Sequence, residues 1–361
     1  MKSVNLCDGT MGIIDAVKSE FQKTPVSIYR VLRVESANDT MQRAATLPVP
    51  KMLFSEFWHE HEVCFLFADT GLGKSLLAVQ IADAITRGQS VLGFKTESQP
   101  QPVLYLDFEL SEKQFQNRYS DNYQKNYRFS PLFYRSEFDR NKIVTENGEI
   151  EEALRSDIER AVVEYGVRVI IIDNLTWLRT QTETASDALP LMKYLKTLQR
   201  QYSLSILILG HTPKISETRP ISVNDLSGSK MLMNFVDSAF AIGRSHKDGS
   251  ARYLKQIKVR ACEAIYHTQN VVAVKIVKDG NFTGFHVMGY GPESEHLRPL
   301  KEIEEEINLQ KVVELKQANP AISNREIERM TGIGRNRVAK IVKSLDPVHS
   351  ELLLDKDDEP F

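Results

Sequence analysis

Cysteine is scarce in this 361-residue chain: Cys7, Cys64 and Cys262 stand far apart, with no metal-ligand spacing between them. That scarcity argues against a disulfide framework and favours the reducing cytoplasm. No run of about 18 apolar residues occurs, so no membrane span is expected. The opening residues lack a basic start followed by an apolar stretch, so no signal peptide is expected either. An excess of one charge is also missing: 46 Lys and Arg meet 48 Asp and Glu, a net of -2. A near-neutral total neither demands nor excludes nucleic acid, because a local basic patch vanishes in the sum. Internal repeats and long low-complexity segments are absent as well. What is present, 42% hydrophobic and 26% charged residues, suits a globular protein with one large core and an appendage.

Residues 1–47 read as an N-terminal extension and linker. "MGIIDAVKSEF" spaces Met11, Ile14, Val17 and Phe21 on one helical face, and the polar "ESANDTMQRAATLPVP" reads as the linker. From 48 to 291 apolar strands alternate with helical segments. "EVCFLFA", "PVLYLDFEL", "VRVIIIDNL" and "LSILILGH" are strands, and "KSLLAVQIADAITRG" is a helix closed by Gly88. "EIEEALRSDIERAVVEYG" and "ALPLMKYLKTLQRQY" are further helices. The strands are unbroken Val/Ile/Leu runs, the pattern of a parallel sheet covered on both faces. The fold class is therefore α/β, with a doubly wound, mostly parallel sheet. Strands continue through "SAFAIGRS", "ARYLKQIKVR" and a hairpin with Asp279-Gly280 at its turn. Phe54 and Trp58 precede the first strong strand, where they either stack on a base or pack beneath the sheet edge. Trp177, Tyr105, Met231 and Met233 read as core.

The stretch Ala68-Asp69-Thr70-Gly71-Leu72-Gly73-Lys74-Ser75, followed by Leu76, lies between a strand and a helix, the setting of a phosphate-binding loop. Its glycines let backbone N–H groups turn toward phosphate oxygens, and the helix N-terminus adds positive potential. Lys74 reaches the β- and γ-phosphates and the Ser75 hydroxyl ligates Mg²⁺, which makes ATP with Mg²⁺ the expected ligand. Asp173 ends a buried strand and supplies a second metal ligand, acting through water. Asp107 and Glu109, two apart at a strand end, are read as facing one side of the sheet. Glu109 is the candidate base for the attacking water, while Asp107 adjusts the metal region or caps a turn. "LSILILGHTPK" places His211 where a polar group touches the γ-phosphate, with a Pro/Ser/Thr-rich mobile loop beyond it.

After Gly291 the composition turns charged and helical. Residues 292–348 form a helical unit, and the acidic 349–361 is expected to be disordered. "AISNREIERMTGIGRNRVAKIVKSL" reads as helix, tight turn, helix, with Ser323 and Glu326 as a capping box and Gly332 as the break. Ile327, Met330, Val338, Ile341, Val342 and Leu345 are expected to form its buried surface. Arg335, Asn336, Arg337, Lys340 and Lys343 face outward, the composition of a helix that meets phosphates and base edges of duplex DNA.

Together "ADTGLGKS", "LYLDFE", "IIIDNL", "LILGHTPK", "LSGSKMLMNFVDSAFAI" and "KQIKVR" resemble the RecA-like ATPase superfamily. Within it the chain looks like the branch of plasmid RepA-type hexameric helicases and related AAA-type ATPases of mobile elements. The resemblance spans residues 50–275. It implies that Glu109 activates water, that His211 senses the γ-phosphate, and that Lys214 and Arg219 meet single-stranded DNA in a ring's pore. Lys258 and Arg260, read as two residues on one face of a strand, would reach a neighbouring subunit's γ-phosphate in a homo-oligomer, a hexamer. The C-terminal unit resembles a helix-turn-helix of the resolvase or winged-helix kind. No stretch of these 361 residues reads as the large N-terminal domain of replicative helicases, a primase or a zinc module, so ATP binding is a firmer expectation than duplex unwinding. Three readings of function stand: ATP-driven translocation or remodelling on DNA, a nucleotide-switched DNA-binding regulator, and a signalling ATPase whose nucleotide state controls protein partners, the last two without translocation.

Overall fold

A computed structural model describes residues 32–90, 93–137, 147–174, 188–212, 215–225 and 230–345. The expected helix around Met11–Phe21, Trp177 and Lys214 lie outside the described residues. Two compact units separate at Val49 and Pro50.

In the first unit the stretch read as a linker holds a helix, α1 (Ala37–Ala44). Ser36 caps it by accepting from the Asp39 N–H at 3.1 Å, and Arg43 lies in its last turn. These polar end signals were hidden by the neighbouring prolines.

The second unit is built in chain order from β1 (Met52–Phe54), β2 (Trp58–His59), β3 (Val63–Ala68), α2 (Lys74–Arg87), β4 (Val103–Asp107), α3 (Glu112–Arg118), β5 (Ser120–Asp121), β6 (Lys125–Asn126) and β7 (Phe133–Ser136). Next come α4 (Asn147–Glu164), β8 (Val169–Asp173), α5 (Ala188–Tyr202), β9 (Ser205–His211), α6 (Lys230–Phe235), β10 (Ser238–Arg244), β11 (Ala251–Lys258), β12 (Val271–Asp279) and β13 (Phe282–Gly291). Three helices, α7 (Leu300–Ala318), α8 (Asn324–Thr331) and α9 (Arg335–Ser344), complete it.

Nine strands form one sheet in the order β13-β12-β11-β10-β3-β9-β8-β4-β7. From β10 to β7 every pair is parallel; β11, β12 and β13 extend the sheet antiparallel. The unbroken apolar runs follow from this topology. Phe65 and Phe67 of β3 join the core under α4 and α5, whereas Cys64, Leu66 and Ala68 join the one under α2. Trp58 and Phe54 are buried in that second core, so neither is available to stack on a base. The β12–β13 turn pairs Asp279 with Phe282, which makes Gly280 and Asn281 its central residues, with Gly280 at φ 58°. Strand β11 ends at Lys258, so Arg260 lies beyond the strand and does not share a pleated face with Lys258.

Helices α7, α8 and α9 enclose a small core of Val312, Ile322, Ile327, Ile333 and Val338. Ser323 accepts the Glu326 N–H, and Gly332 closes α8 in the left-handed region at φ 74°. Ile341 and Val342 pack against this core as expected, but Met330 and Leu345 are exposed. Their places are filled by Val312 from α7 and by the loop residues Ile322 and Ile333, which helical periodicity within two short helices could not reveal.

Candidate nucleotide site

The carboxyl ends of β3, β9, β8 and β4 are adjacent in the sheet, so four chain-distant segments deliver their last residues to one edge. At the end of β3 the chain turns through Gly71 (φ 76°) and Gly73 (φ 94°) into α2. Gly73 is the N-cap of α2 and offers no side chain to its first N–H groups. A Cβ there would stand 2.8 Å from Phe285 Cζ, so glycine is required by packing as well as by backbone. Uncapped N–H groups at a helix start, opened by left-handed glycines, are the elements of an anion cradle.

Lys74, the first residue of α2, is buried and curls back over this turn. Its Nζ donates to the carbonyls of Ala68 (3.0 Å) and Asp69 (3.3 Å) and to His211 Nδ1 (3.1 Å). Burial pushes the lysine pKa down, while the charges of Asp173, Glu109 and Asp69 oppose that shift. Because Nδ1 of His211 accepts from an ammonium, its Nε2 carries the ring proton and donates to Glu109 Oε1 at 3.3 Å. Asn174 donates its amide to the same Glu109 oxygen and lies 3.2 Å from His211 Nε2. The His211 hydrogen bond holds Glu109 below the usual carboxylate range against the opposing effect of partial burial. The sequence thus named Lys74, His211 and Glu109 separately, and the fold joins them in one hydrogen-bonded chain.

Asp173 is almost fully buried at the end of β8. Burial pushes its pKa up to about 6, against hydrogen bonds from Ser75 and Tyr105 that favour the charged form. Tyr105 Oη donates to Asp173 Oδ2 at 2.5 Å. Tyr105 is core, as read, yet its hydroxyl belongs to the site. A Tyr105→Phe chain loses that donor, so any activity that needs ionised Asp173 should fade on acidification from a higher pH. We expect the acid limb of kcat/KM, which reports the free chain, to move up from near pH 6 by roughly half a unit to one unit.

Ser75 Oγ and the Asp173 carboxylate are the hard oxygen donors that Mg²⁺ takes. No cluster of three or more His, Cys, Asp or Glu side chains able to hold a metal occurs among the described residues. The donor set fits a magnesium ion that arrives with phosphates and keeps several waters, rather than one caged by protein.

Asp107 and Glu109 do not share a face. Strand β4 stops at Asp107, whose Oδ1 accepts the N–H groups of Glu109 (3.2 Å) and Leu110 (2.9 Å) and so closes a turn. Its Oδ2 meets Arg135 Nε at 2.9 Å in a largely buried ion pair. Of its two suggested roles, the carboxylate fills the turn cap. The cap carries Glu109 out toward His211. Arg135→Ala leaves that buried carboxylate unpaired and is expected to cost about 3–5 kcal/mol, measured by denaturant unfolding.

Sequence reasoning missed three of these residues. Asn174 had a signal, a polar residue next to Asp173 at a strand end. Arg135 had none, since it sits on a four-residue edge strand, and Tyr105 looked like any core aromatic.

The remaining candidates lie elsewhere. Lys258 and Arg260 follow the end of β11, and Lys258 pairs in register with Ala239 at the start of β10. They therefore stand toward the amino edge of the parallel strands: at roughly 3.3 Å per residue, Lys258 is level with Phe65, about 10 Å along β3 from Ala68, and Arg260, held by Asp237, is level with Val63, about 17 Å from Ala68. Lys258 Nζ donates to the carbonyls of Met233 and Val236, and Arg260 pairs with Asp237 at 3.2 Å. Arg219 grips the carboxylate of Asp225 with both terminal nitrogens. On α9, Arg335, Asn336, Lys340 and Lys343 are exposed, while Arg337 is half-buried beside Glu305.

A glycine-hinged phosphate loop with its lysine, facing a strand-end aspartate on a mostly parallel sheet, defines a P-loop nucleotide-binding protein of the ATPase class. A family model described as an AAA domain matches residues 30–217, just over half of the chain. The chain belongs to that AAA family. No curated protein matches it. Among the described residues no helix is long and apolar enough to cross a membrane.

Proposed function

We propose that this AAA-family protein hydrolyses ATP with Mg²⁺ on the loop Ala68–Leu76 and uses the cycle to move along, or remodel, DNA. The observation that carries the reading is the continuous chain from Lys74 through His211 to Glu109, beside the buried Asp173.

Each residue has one task. Loop N–H groups and Lys74 hold the β- and γ-phosphates. Ser75 and Asp173 hold Mg²⁺, which when bound neutralises phosphate charge. An incoming γ-phosphate competes for Lys74 and for His211, which together with Asn174 otherwise restrains Glu109. Freed from His211, Glu109 loses the contact that most lowers its pKa and becomes a better acceptor for the proton of the attacking water. His211 thereby senses the γ-phosphate and passes its state to residues 212–229, where Lys214 and Arg219 are the proposed contacts to single-stranded DNA.

Lys258 and Arg260 stand too far from their own loop to serve it, which supports their use by a neighbour in a head-to-tail homo-oligomer, a hexamer as in the RepA-type helicases the sequence resembles. Residues 292–348 would act as the duplex-binding helix-turn-helix, with Asn336, Lys340 and Lys343 on one exposed face of α9. A plasmid-like or mobile element, replicated or transferred in the cytoplasm, is the setting this suits.

Turnover measured with no DNA, single-stranded DNA and duplex DNA tests the reading. Single strands are expected to raise the rate several-fold, and a rate indifferent to them counts against translocation. The engagement of Arg219 by Asp225 favours a second reading, in which the nucleotide sets the state of a duplex-binding regulator. That reading expects duplex binding to change with nucleotide while single strands leave the rate alone.

A further inference from the structure

Beside Arg260, on the side of the sheet covered by α5 and α6, lies a groove lined by Lys193, Lys196, Arg200, Asn234, Asp237 and Arg260. Lys193, Lys196 and Arg200 fall at spacings of three and four on α5, so one helix face brings all three to the groove. The groove has four cations and one carboxylate, and only Lys196 and Arg260 pair with it. That carboxylate is fully employed: Asp237 Oδ2 accepts the Val63 N–H (2.9 Å) and the Lys196 ammonium (2.5 Å), and Oδ1 accepts from Arg260 (3.2 Å). Asp237 also returns its own N–H to the Val63 carbonyl at 2.8 Å, which fixes it against the first residue of the phosphate-loop strand. Lys193 and Arg200 have no ion-pair partner among the described residues, and Arg260 remains half exposed.

A groove with this surplus of positive charge, one wall of which is a guanidinium parked on an aspartate, is built to accept an anion that displaces the aspartate. The opposite edge of the same sheet carries Asp69, Glu109 and Asp173, and with nucleotide it would carry a triphosphate as well. We infer that Asp237 is a positioning residue that holds Arg260 and Lys196 in reserve, and that the groove takes the nucleotide-bearing edge of a second copy, with Lys193 and Arg200 extending the contact along α5. This rests on the head-to-tail reading above but assigns residues which that reading leaves unused. Asp237 then sets how readily copies join: it neutralises part of the charge that attracts the incoming edge, and it keeps the guanidinium within reach.

The test is turnover per subunit of the full chain against protein concentration, at saturating Mg·ATP and at two salt concentrations. Asp237→Asn retains an acceptor for the Val63 N–H but removes the competing charge. The concentration for half-maximal turnover should fall about threefold or more, with a steeper salt dependence. Arg200→Glu should raise that concentration about tenfold or more. A misfolded chain cannot lower the midpoint, so the opposite signs separate charge from damage. If either variant stays within twofold of the unaltered protein, or if both shift the same way, the groove assignment is overturned. Turnover independent of concentration in the unaltered protein, or an Arg260→Ala chain as active as it, overturns the assembly reading instead.

Discussion

Glu109→Gln is expected to bind Mg·ATP and to lose turnover by about 10²- to 10⁴-fold, the usual contribution of a positioned base. Glutamine keeps the length of glutamate and can still accept from His211 and Asn174 through its amide oxygen, so the loop it stands on retains its shape. It cannot take a proton from water. Lys74, Ser75 and Asp173 are untouched, so calorimetry should show nucleotide binding close to that of the unaltered protein while phosphate release almost stops. Asp107 cannot substitute, because its carboxylate is enclosed and committed to Arg135 and to two backbone N–H groups. The acid limb gives a second check. Glu109 titrates below the usual carboxylate range, whereas Asp173 titrates at about 6. In the free chain the acid limb of kcat/KM therefore belongs to Asp173, and the small residual kcat/KM of Glu109→Gln should keep it. A rate within tenfold of the unaltered protein would place the base elsewhere.

The parts of the site that the sequence disclosed share a physical cause. Strands covered on both faces must be apolar at every position, so a polar residue that ends such a run stands out: Asp173 and His211 are visible in this way. The loop is visible because a chain that turns backbone N–H groups toward an anion needs Gly71 and Gly73 at positive φ. What stayed hidden depends on contacts between segments far apart in the chain. The partner of Asp107 is 28 residues away, and nothing local distinguishes Arg135 from a solvated arginine. The Tyr105 hydroxyl looks redundant until β8 is laid beside β4 and Asp173 falls in register with Asp107. Where the sequence reading went astray, local pattern had been carried past a boundary set by tertiary structure. The alternation assumed for Asp107 and Glu109 ends with the strand, and so does that of Lys258 and Arg260. Helix α1 shows the reverse error, since polar composition suggested a linker where Ser36 starts a helix.

Arg260→Ala carries the largest expected effect. A guanidinium delivered to the γ-phosphate from a neighbour stabilises charge that develops only in the transition state, and its removal should lower turnover by about 10³- to 10⁵-fold. Nucleotide binding to the loop, on the far edge of the sheet, should survive. In the chain itself Arg260 holds a half-exposed ion pair with Asp237, which contributes little to stability, so the folded population should hardly change. The geometry allows a sharper experiment than the single variant. If the site lies between copies, Glu109→Gln subunits still offer an intact Arg260, and Arg260→Ala subunits still hold an intact Glu109. Each variant alone should be nearly inactive, but an equimolar mixture that exchanges subunits should regain roughly a quarter of the unaltered rate, the fraction of head-to-tail junctions in which both groups are sound. Recovery requires that the arginine cross from one copy to the next. A mixture no more active than its parts would mean that Arg260 acts only as a partner of Asp237, at an edge that never meets phosphate.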